Sequence, residues 1–416
     1  SITASYVAPT LTLSGSDTIA HYQQVLRSVT YNDSSQNPNT TARSVSFTVN
    51  DGALASNTLT QTVTVVAVND APVLANPGSV SYTEDAPAVV IASALTASDV
   101  DNANLAGGTV TISNLTDSGA ELLAANTAGT SITASYTAPT LTLSGSDTVA
   151  HYQQVLRTVT YNNTSQNPTA SPTRTVNFQV TDGTDASNVL SSSVTVVPVN
   201  DPPGITTNPI TYTTPGNTQL HVAGATLAGV AHWSDASSVV TKSGGFTDVD
   251  GPVAPALVAA SGSSANGGSF SLAVDGSFTY VPPVGFTGTD SFTYQVTDSQ
   301  AATTGTVNIT VGARVWYIRD VVDANNAAGG DGRSTNAFDS ITAFNAATTN
   351  NGDIIYIFEG NTATTPLVGQ ITLKDGQKLW GQGIDLNVPS FGTPLVTATN
   401  KPHIKTTAAS TDVVLV

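Results

Sequence analysis

An internal duplication constrains this chain more than any other feature. Residues 1–36, SITASYVAPTLTLSGSDTIAHYQQVLRSVTYNDSSQ, return almost unchanged at 131–166 as SITASYTAPTLTLSGSDTVAHYQQVLRTVTYNNTSQ. The displacement is 130 positions and becomes 131 after a one-residue insertion near Ser171. VSFTVNDG at 45–52 then matches VNFQVTDG at 176–183, and VVAVNDAP at 65–72 matches VVPVNDPP at 196–203. Self-similarity over such a period is the mark of modules in tandem. Residues 73–130 precede the shared segment in the second copy and have no counterpart in the first. The expectation is that upstream sequence completes the first module; the alternative is a strand from another chain.

Within each copy the pattern is β. Apolar and small polar residues alternate in Val45-Ser46-Phe47-Thr48-Val49, which suits a strand with one buried face, and Val63 and Val65 repeat it. Tyr22, Val25, Leu26 and Val29 instead follow helical spacing, predicting about two turns of helix capped from Ser16-Asp17-Thr18. A third unit extends over 204–313, clearest in DGSFTYVPPVGFTGTDSFTYQVTD at 275–298. There Phe278 and Tyr280 alternate on one predicted strand, and Phe292, Tyr294 and Val296 on the next, around a Pro-Pro-x-Gly turn.

The pattern changes again at Val315-Trp316-Tyr317-Ile318. An Asn- and Gly-rich loop, a short helix over 338–347, strands at 354–358 and 370–373, and punctuation by Gly376, Gly381 and Gly383 follow. Short strands at close spacing predict solenoid coils, with the helix covering the open end of the stack. The domain expectation is therefore 1–71, 72–203, 204–313 and 314–416, in an all-β chain of tandem β-sandwiches followed by the first coils of a parallel solenoid.

Composition narrows function. The 416 residues suffice for three or four domains, and neither cysteine nor methionine occurs, so Ser1 is not expected to be a translation start and stability is expected to come from cores, ladders and bound ions. A formal charge of −17 disfavours nucleic acid and anionic membranes and favours divalent cations. Only 10% of residues are charged while 39% are hydrophobic, so the chain can build cores. No run approaches the ~20 apolar residues of a membrane span, and no signal peptide is visible; an export signal or anchor is expected outside this sequence.

At these residues the chain resembles known families. The tandem units resemble bacterial cadherin-like repeats of giant adhesins, and YQQVLRxVTYN is similar to a module of the chondroitin-sulfate-proteoglycan repeat type. Residues 275–298 resemble the Ig-like/cadherin-like modules of the same secreted proteins, and 315–416 resemble the start of a right-handed parallel β-helix of the pectate-lyase-like superfamily.

That resemblance implies calcium, a hard cation that takes six to eight oxygens. In cadherin-like proteins an NDxP linker, an acidic pair early in the next domain and a D-x-D motif converge on interdomain ions. Carried over by position, the first junction offers Asp51, Asn69, Asp70, Glu84, Asp99 and Asp101. The second offers Asp182, Asn200, Asp201, Asp248 and Asp250, with Thr214-Pro215 standing where Glu84-Asp85 did. The third, at 308–315, has no NDxP and is expected to need no ion. Asn-Asp-Ala-Pro and Asp-Gly are also plain turn sequences; it is their joint recurrence at two successive linkers that favours an ion.

Catalysis finds little support. His21 and His151 occupy one repeat position, which suggests packing or capping, and His221, His232 and His403 are isolated. No GxSxG, HExxH or P-loop pattern occurs. Lys374, Asp375 and Lys378 in LKDGQKLWGQG suit a turn between coils better than a lyase site, and Gly329-Gly330-Asp331-Gly332 is a single copy of a motif that needs several. Trp233, Trp316 and Trp380 sit singly in apolar contexts, which favours packing over sugar stacking. The expectation is a secreted, non-catalytic surface protein that reaches a cell-surface or matrix ligand such as a polysaccharide. The alternatives are a subunit of a self-associating fibre or surface layer, and a polysaccharide-active β-helix enzyme with its site beyond Val416.

Overall fold

The computed structural model describes residues 1–223, 232–251, 253–319, 328–358, 367–381 and 404–405. The chain is all-β apart from four short helices among these residues, and it divides into two compact units, Ser1–Val199 and Asn200–Val416.

The second repeat forms a complete sandwich inside the first unit. Its principal sheet has the order Thr133–Thr137, Thr140–Thr148, Asn104–Ile112, Arg174–Thr181, Leu190–Val197, Ser79–Thr83. All neighbours are antiparallel except the last pair, in which Val194 stands opposite Val80 in parallel. Burial alternates strictly along Arg174–Thr181, as a period of two requires for a strand with one face on a core. A three-stranded sheet of Val89–Val90, Thr160–Asn163 and Glu121–Ala124 lies in the same module. The predicted helix forms at Val149–Leu156, with Thr148 Oγ1 accepting from the His151 N–H and Tyr152, Val155 and Leu156 buried. Leu105, Val110, Tyr161 and Phe178 complete a single core.

The first repeat keeps the same local pieces. Hairpin Thr3–Val7/Thr10–Ser14, helix Ile19–Arg27 and hairpin Arg43–Phe47/Leu59–Val63 form in the registers of their sister elements. None of residues 1–71 is buried.

In the second unit, residues 278–281 and 288–297 are strands with the predicted alternation, but they do not pair as a hairpin. Phe278–Val281 lies between Gln219–Val222 and Ser269–Leu272, whereas Gly288–Thr297 lies between Ala256–Leu257 and Ala302–Ile318. The Pro-Pro connection crosses from one sheet to the other because the aromatic faces oppose each other across the core. Phe278 meets Phe292 edge-on at 5.2 Å and Phe270 stacks on Phe292 at 4.1 Å.

Strand Ala302–Ile318 is 17 residues long and serves two sheets in turn. Its first part pairs with Gly288–Thr297 and, in parallel, with Ile210–Gly216. Its last four residues, Val315–Ile318, begin a parallel stack with Ile354–Ile357 and Lys378–Gly381. Uninterrupted backbone thus replaces a linker at the third junction. Helix Ile341–Asn345 packs Ile341 and Phe344 with Trp316 and Phe338 against the stack. The predicted strand at 370–373 is not a strand; Leu367–Val368 and Lys378–Gly381 are. Gly383 and His403 lie outside the described residues.

Candidate metal centre

The acidic residues gather at one end of each complete module. In the first unit, Asn69 Nδ2 donates to Asp182 Oδ2 and to Asp185 Oδ2, both at 2.8 Å. The Asp70 N–H donates to Asp101 Oδ2 at 3.1 Å, and the N–H groups of Asp101 and Asn102 donate to Asp99 Oδ1 at 3.2 and 2.9 Å. Asn102 closes the group by donating to Asn69 Oδ1 at 2.8 Å and Asp182 Oδ2 at 3.3 Å. Two carboxylate oxygens, Asp99 Oδ2 and Asp101 Oδ1, are buried there without a hydrogen-bond partner.

The second unit repeats this arrangement. Asn200 Nδ2 donates to Asp298 Oδ2 at 2.8 Å, and the Asp201 N–H donates to Asp250 Oδ2 at 3.0 Å. The Gly251 N–H donates to Asp248 Oδ1 at 3.3 Å. Gln300 Nε2 donates to Asn200 Oδ1 at 2.9 Å, the role Asn102 has in the first group. Asp248 Oδ2 and Asp250 Oδ1 are the buried, unpartnered oxygens, matching Asp99 and Asp101 atom for atom.

The grouping differs from a partition by linker. Asp182 stands with Asn69 of its own module's leading linker, not with Asn200. Asp51, its sister in the first repeat, accepts from the Ala53 and Leu54 N–H groups at 2.9 Å in an exposed turn. Glu84 lies elsewhere: its N–H donates to Val197 O, and its Oε2 accepts from the Val199 N–H at 2.8 Å. Thr83 is opposite Val197, beyond the Arg174–Val194 pair, while Asp182 follows Thr181 at the other end of the same sheet. The seven strand steps from Arg174 to Thr181 alone cover about 20 Å. The physical reason is direction: the leading linker and the loop between Arg174–Thr181 and Leu190–Val197 meet at one end, and strand Ser79–Thr83 carries Glu84 to the other.

The structure also adds Asn102, Asp185, Asp298 and Gln300. Asp298 had a signal in sequence, since Val296-Thr297-Asp298 repeats Val180-Thr181-Asp182.

Local electrostatics keep the flanking carboxylates ionised. Burial pushes the Asp182 carboxyl up, but the Asp185 N–H, the Asn69 amide and the Thr184 N–H outweigh it and hold it below the usual range. The Ala301 N–H and then the Asn200 amide hold Asp298 down in the same way. Among the described residues no Lys or Arg pairs with Asp70, Asp99, Asp101, Asp182 or Asp185. The Asn69 amide takes that place, with its positive edge between two carboxylates. As they stand, no three His, Asp or Glu groups among the described residues form a ready metal cage. The donor set is nevertheless all-oxygen and anionic, with orphaned carboxylate oxygens in both groups, which fits a hard divalent cation.

Two histidines serve structure. His21 and His151 Nδ1 lie 2.6 and 2.7 Å from Asp17 and Asp147 at the starts of their helices. Lys374 donates to Thr349 O and the Asp375 carbonyl accepts from the Gly352 N–H, which ties a turn to the preceding coil.

Residues 200–313 match the family model of the bacterial cadherin-like domain. No curated protein sequence matches the chain. Among solved structures, the EC1-2 fragment of human protocadherin-24 is 16% identical, covering 59% of this chain and 100% of its own, with a TM-score of 0.27. The PcdhgB3 EC1-4 fragment is 13% identical over 69% and 64% of the two chains, with a TM-score of 0.24. An endo-fucoidan hydrolase of glycoside hydrolase family 107, MfFcnA4, is 14% identical over 75% of this chain, with a TM-score of 0.18. The chain spans 37% of that hydrolase's length. The third module is thus cadherin-like by sequence, within an all-β chain.

Proposed function

We propose that this is a stretch of an extracellular bacterial surface protein, adhesive or structural in role, whose sandwich modules are each braced by calcium at the end where the chain enters. The observation that carries this is the repeated pair of buried, unpartnered carboxylate oxygens, Asp99 Oδ2 with Asp101 Oδ1 and Asp248 Oδ2 with Asp250 Oδ1. Each pair stands beside an Asn-Asp linker bonded to a distant loop aspartate, Asp182 or Asp298.

Burying a carboxylate oxygen without a partner costs free energy that a bound cation removes. Asp70, Asp99, Asp101 and Asp182 would hold the ion in the first group, and Asp201, Asp248, Asp250 and Asp298 in the second. Calcium there would neutralise clustered charge and fix the linker to the module it enters. The family match over 200–313 supports the adhesive reading. The parallel stack that starts at Val315 reads as the opening of a β-helix, which extends the same surface.

Calcium titration of the metal-free chain tests the proposal. Two classes of site at most, with a rise in melting temperature that a chelator reverses, is the expected result. A melting profile indifferent to both calcium and chelator would end the calcium reading.

A further inference from the structure

The first repeat touches the Asp99-Val100-Asp101 loop of the second at two places. One is the linker, whose Asp70 N–H donates to Asp101 Oδ2 at 3.1 Å. The other comes from a different part of the repeat: Asn37 Nδ2 donates to Val100 O at 3.3 Å, across 63 positions of sequence. Asp51, which the acidic motifs single out, stands instead in its own exposed turn.

Both partners in the second contact are set up by their own loops. Asp99 Oδ1 draws in the Asp101 N–H at 3.2 Å. The peptide unit that carries this N–H is planar and trans, so the Val100 carbonyl at its other edge points away from Asp99. In the first repeat, Asp33 Oδ1 accepts from the Ser35 N–H and Ser35 Oγ accepts from the Asn37 N–H, both at 3.1 Å. Pro38 follows and biases Asn37 toward extended backbone. The backbone N–H of Asn37 is thus occupied within the loop, while its carboxamide reaches out of it. Ser165-Gln166-Asn167-Pro168 repeats the motif, and the same two turns form there at 3.0 and 3.1 Å, so the loop takes this shape from its own sequence.

A linker alone lets two bodies swivel about it. A second contact, on the residue next to the one the linker holds, removes that freedom. We propose that the loop at 35–38 is a strut that fixes the joint between repeats, with Asn37 docking on the Val100 carbonyl and holding one arrangement without an ion. The contact joins an amide to a carbonyl, so it stands apart from the calcium reading. An exposed hydrogen bond between neutral groups favours the docked arrangement about fivefold.

The chain has no cysteine, so Ser46→Cys and Thr195→Cys, both at exposed positions, give a unique pair for spin labels. Electron–electron distances are measured on the full chain in chelator. A single narrow distribution is expected, which Asn37→Ala widens about twofold and Asn37→Asp, lacking any donor, widens at least as much. Gln36→Ala should leave it narrow, and the second module should melt alike in all variants. An unchanged distribution in Asn37→Ala, or equal widening by Gln36→Ala, would overturn the strut. A parent distribution that is broad in chelator and narrows only with calcium would also overturn it, and would assign the joint to the ion. Widening by Asn37→Ala with no response to calcium in any variant would uphold the strut and count against the calcium reading alone.

Discussion

Asn69 and Asp182, 113 positions apart, are joined by a 2.8 Å hydrogen bond from the amide Nδ2 to the carboxylate Oδ2. The linker that enters the module is thereby tied to the loop that follows its fifth principal strand in sequence, Arg174–Thr181, rather than to the module behind it. Calcium stabilisation should accordingly belong to a module and its own leading linker. Asp182→Asn should remove most of the calcium-dependent rise in melting of the second module, while Asp51→Asn leaves it unchanged. With calcium at a hundred times Kd the lost stabilisation is about 2.7 kcal/mol. Calorimetry of the two variants, with and without chelator, reads this directly.

The same reasoning moves to the second unit without the first. Asp298→Asn breaks the bond from Asn200 Nδ2 and removes one of the carboxylates beside Asp250. The calcium response of the second unit should fall while that of the first persists, and Glu84→Gln should leave the response of the Asp99–Asp101 group intact. Loss of both responses from Asp298→Asn would mean that the groups do not act independently.

Much of this was legible in the sequence, for identifiable reasons. Strand and helix periodicity located the pieces of the repeat, because alternation at Val176, Phe178 and Val180 and helical spacing at Tyr152, Val155 and Leu156 reflect local geometry. The acidic residues stand in turn and linker motifs, which are local in the same way. Their grouping was not legible, since it depends on which end of a sheet a strand delivers its residue to. Glu84 and Asp99 are close in sequence but are separated by the length of the sheet. That the Phe278 and Phe292 strands belong to different sheets was not legible either, because alternation reports a buried face, not which sheet owns it.

Arg174 and Glu121 are both fully buried, and the guanidinium also meets Asp117 and the carbonyls of Pro172 and Thr169. Tyr161 donates to Glu121 Oε1 at 2.7 Å. Arg174→Met should leave Glu121 buried without its cation and destabilise the second module by roughly 3–5 kcal/mol. Adding Glu121→Leu to Arg174→Met should recover part of that loss, since the fully buried carboxylate is gone, while Asp117 still lacks its cation and Tyr161 its acceptor. Denaturant midpoints of the single and double variants separate the pair's net worth from the cost of orphaning one partner.

Asp353 ties the parallel stack to the module before it. It is 3% exposed and accepts from Arg314 Nε at 2.9 Å, Trp316 Nε1 at 2.8 Å and the Asn350 N–H at 2.7 Å. Asp353→Ala strands a guanidinium and an indole N–H in a buried setting, a loss of about 3 kcal/mol or more. Because Ala302–Ile318 is continuous through both sheets, the third module and the stack should melt together in the parent, and the variant should separate them into two transitions. A single unchanged transition would mean that the strand alone couples them.

Aspartates outside the two linker groups also make stability depend on acid. The Ser131 N–H is the first contributor holding the Asp147 carboxyl below its ordinary value of 3.8, although burial opposes it; the Thr148 N–H and His151 add to the lowering. At Asp117 burial pushes upward, and bonds from Thr169 and Asn163 with the charge of Arg174 outweigh it. At Asp290 burial is outweighed by Ser264 and Tyr280. Each folded carboxyl titrates lower than its unfolded counterpart, so the unfolded chain binds more protons as pH falls. Their stabilisation is therefore complete above the unfolded value near 3.8 and is lost as pH drops through the folded values. For the calcium-free chain, urea midpoints should change little from about pH 7 to about pH 5 and fall steeply below about pH 4. Asp147→Asn should flatten that fall in the second module alone. A midpoint that already declines between about pH 7 and about pH 5 would instead assign the acid sensitivity to histidine.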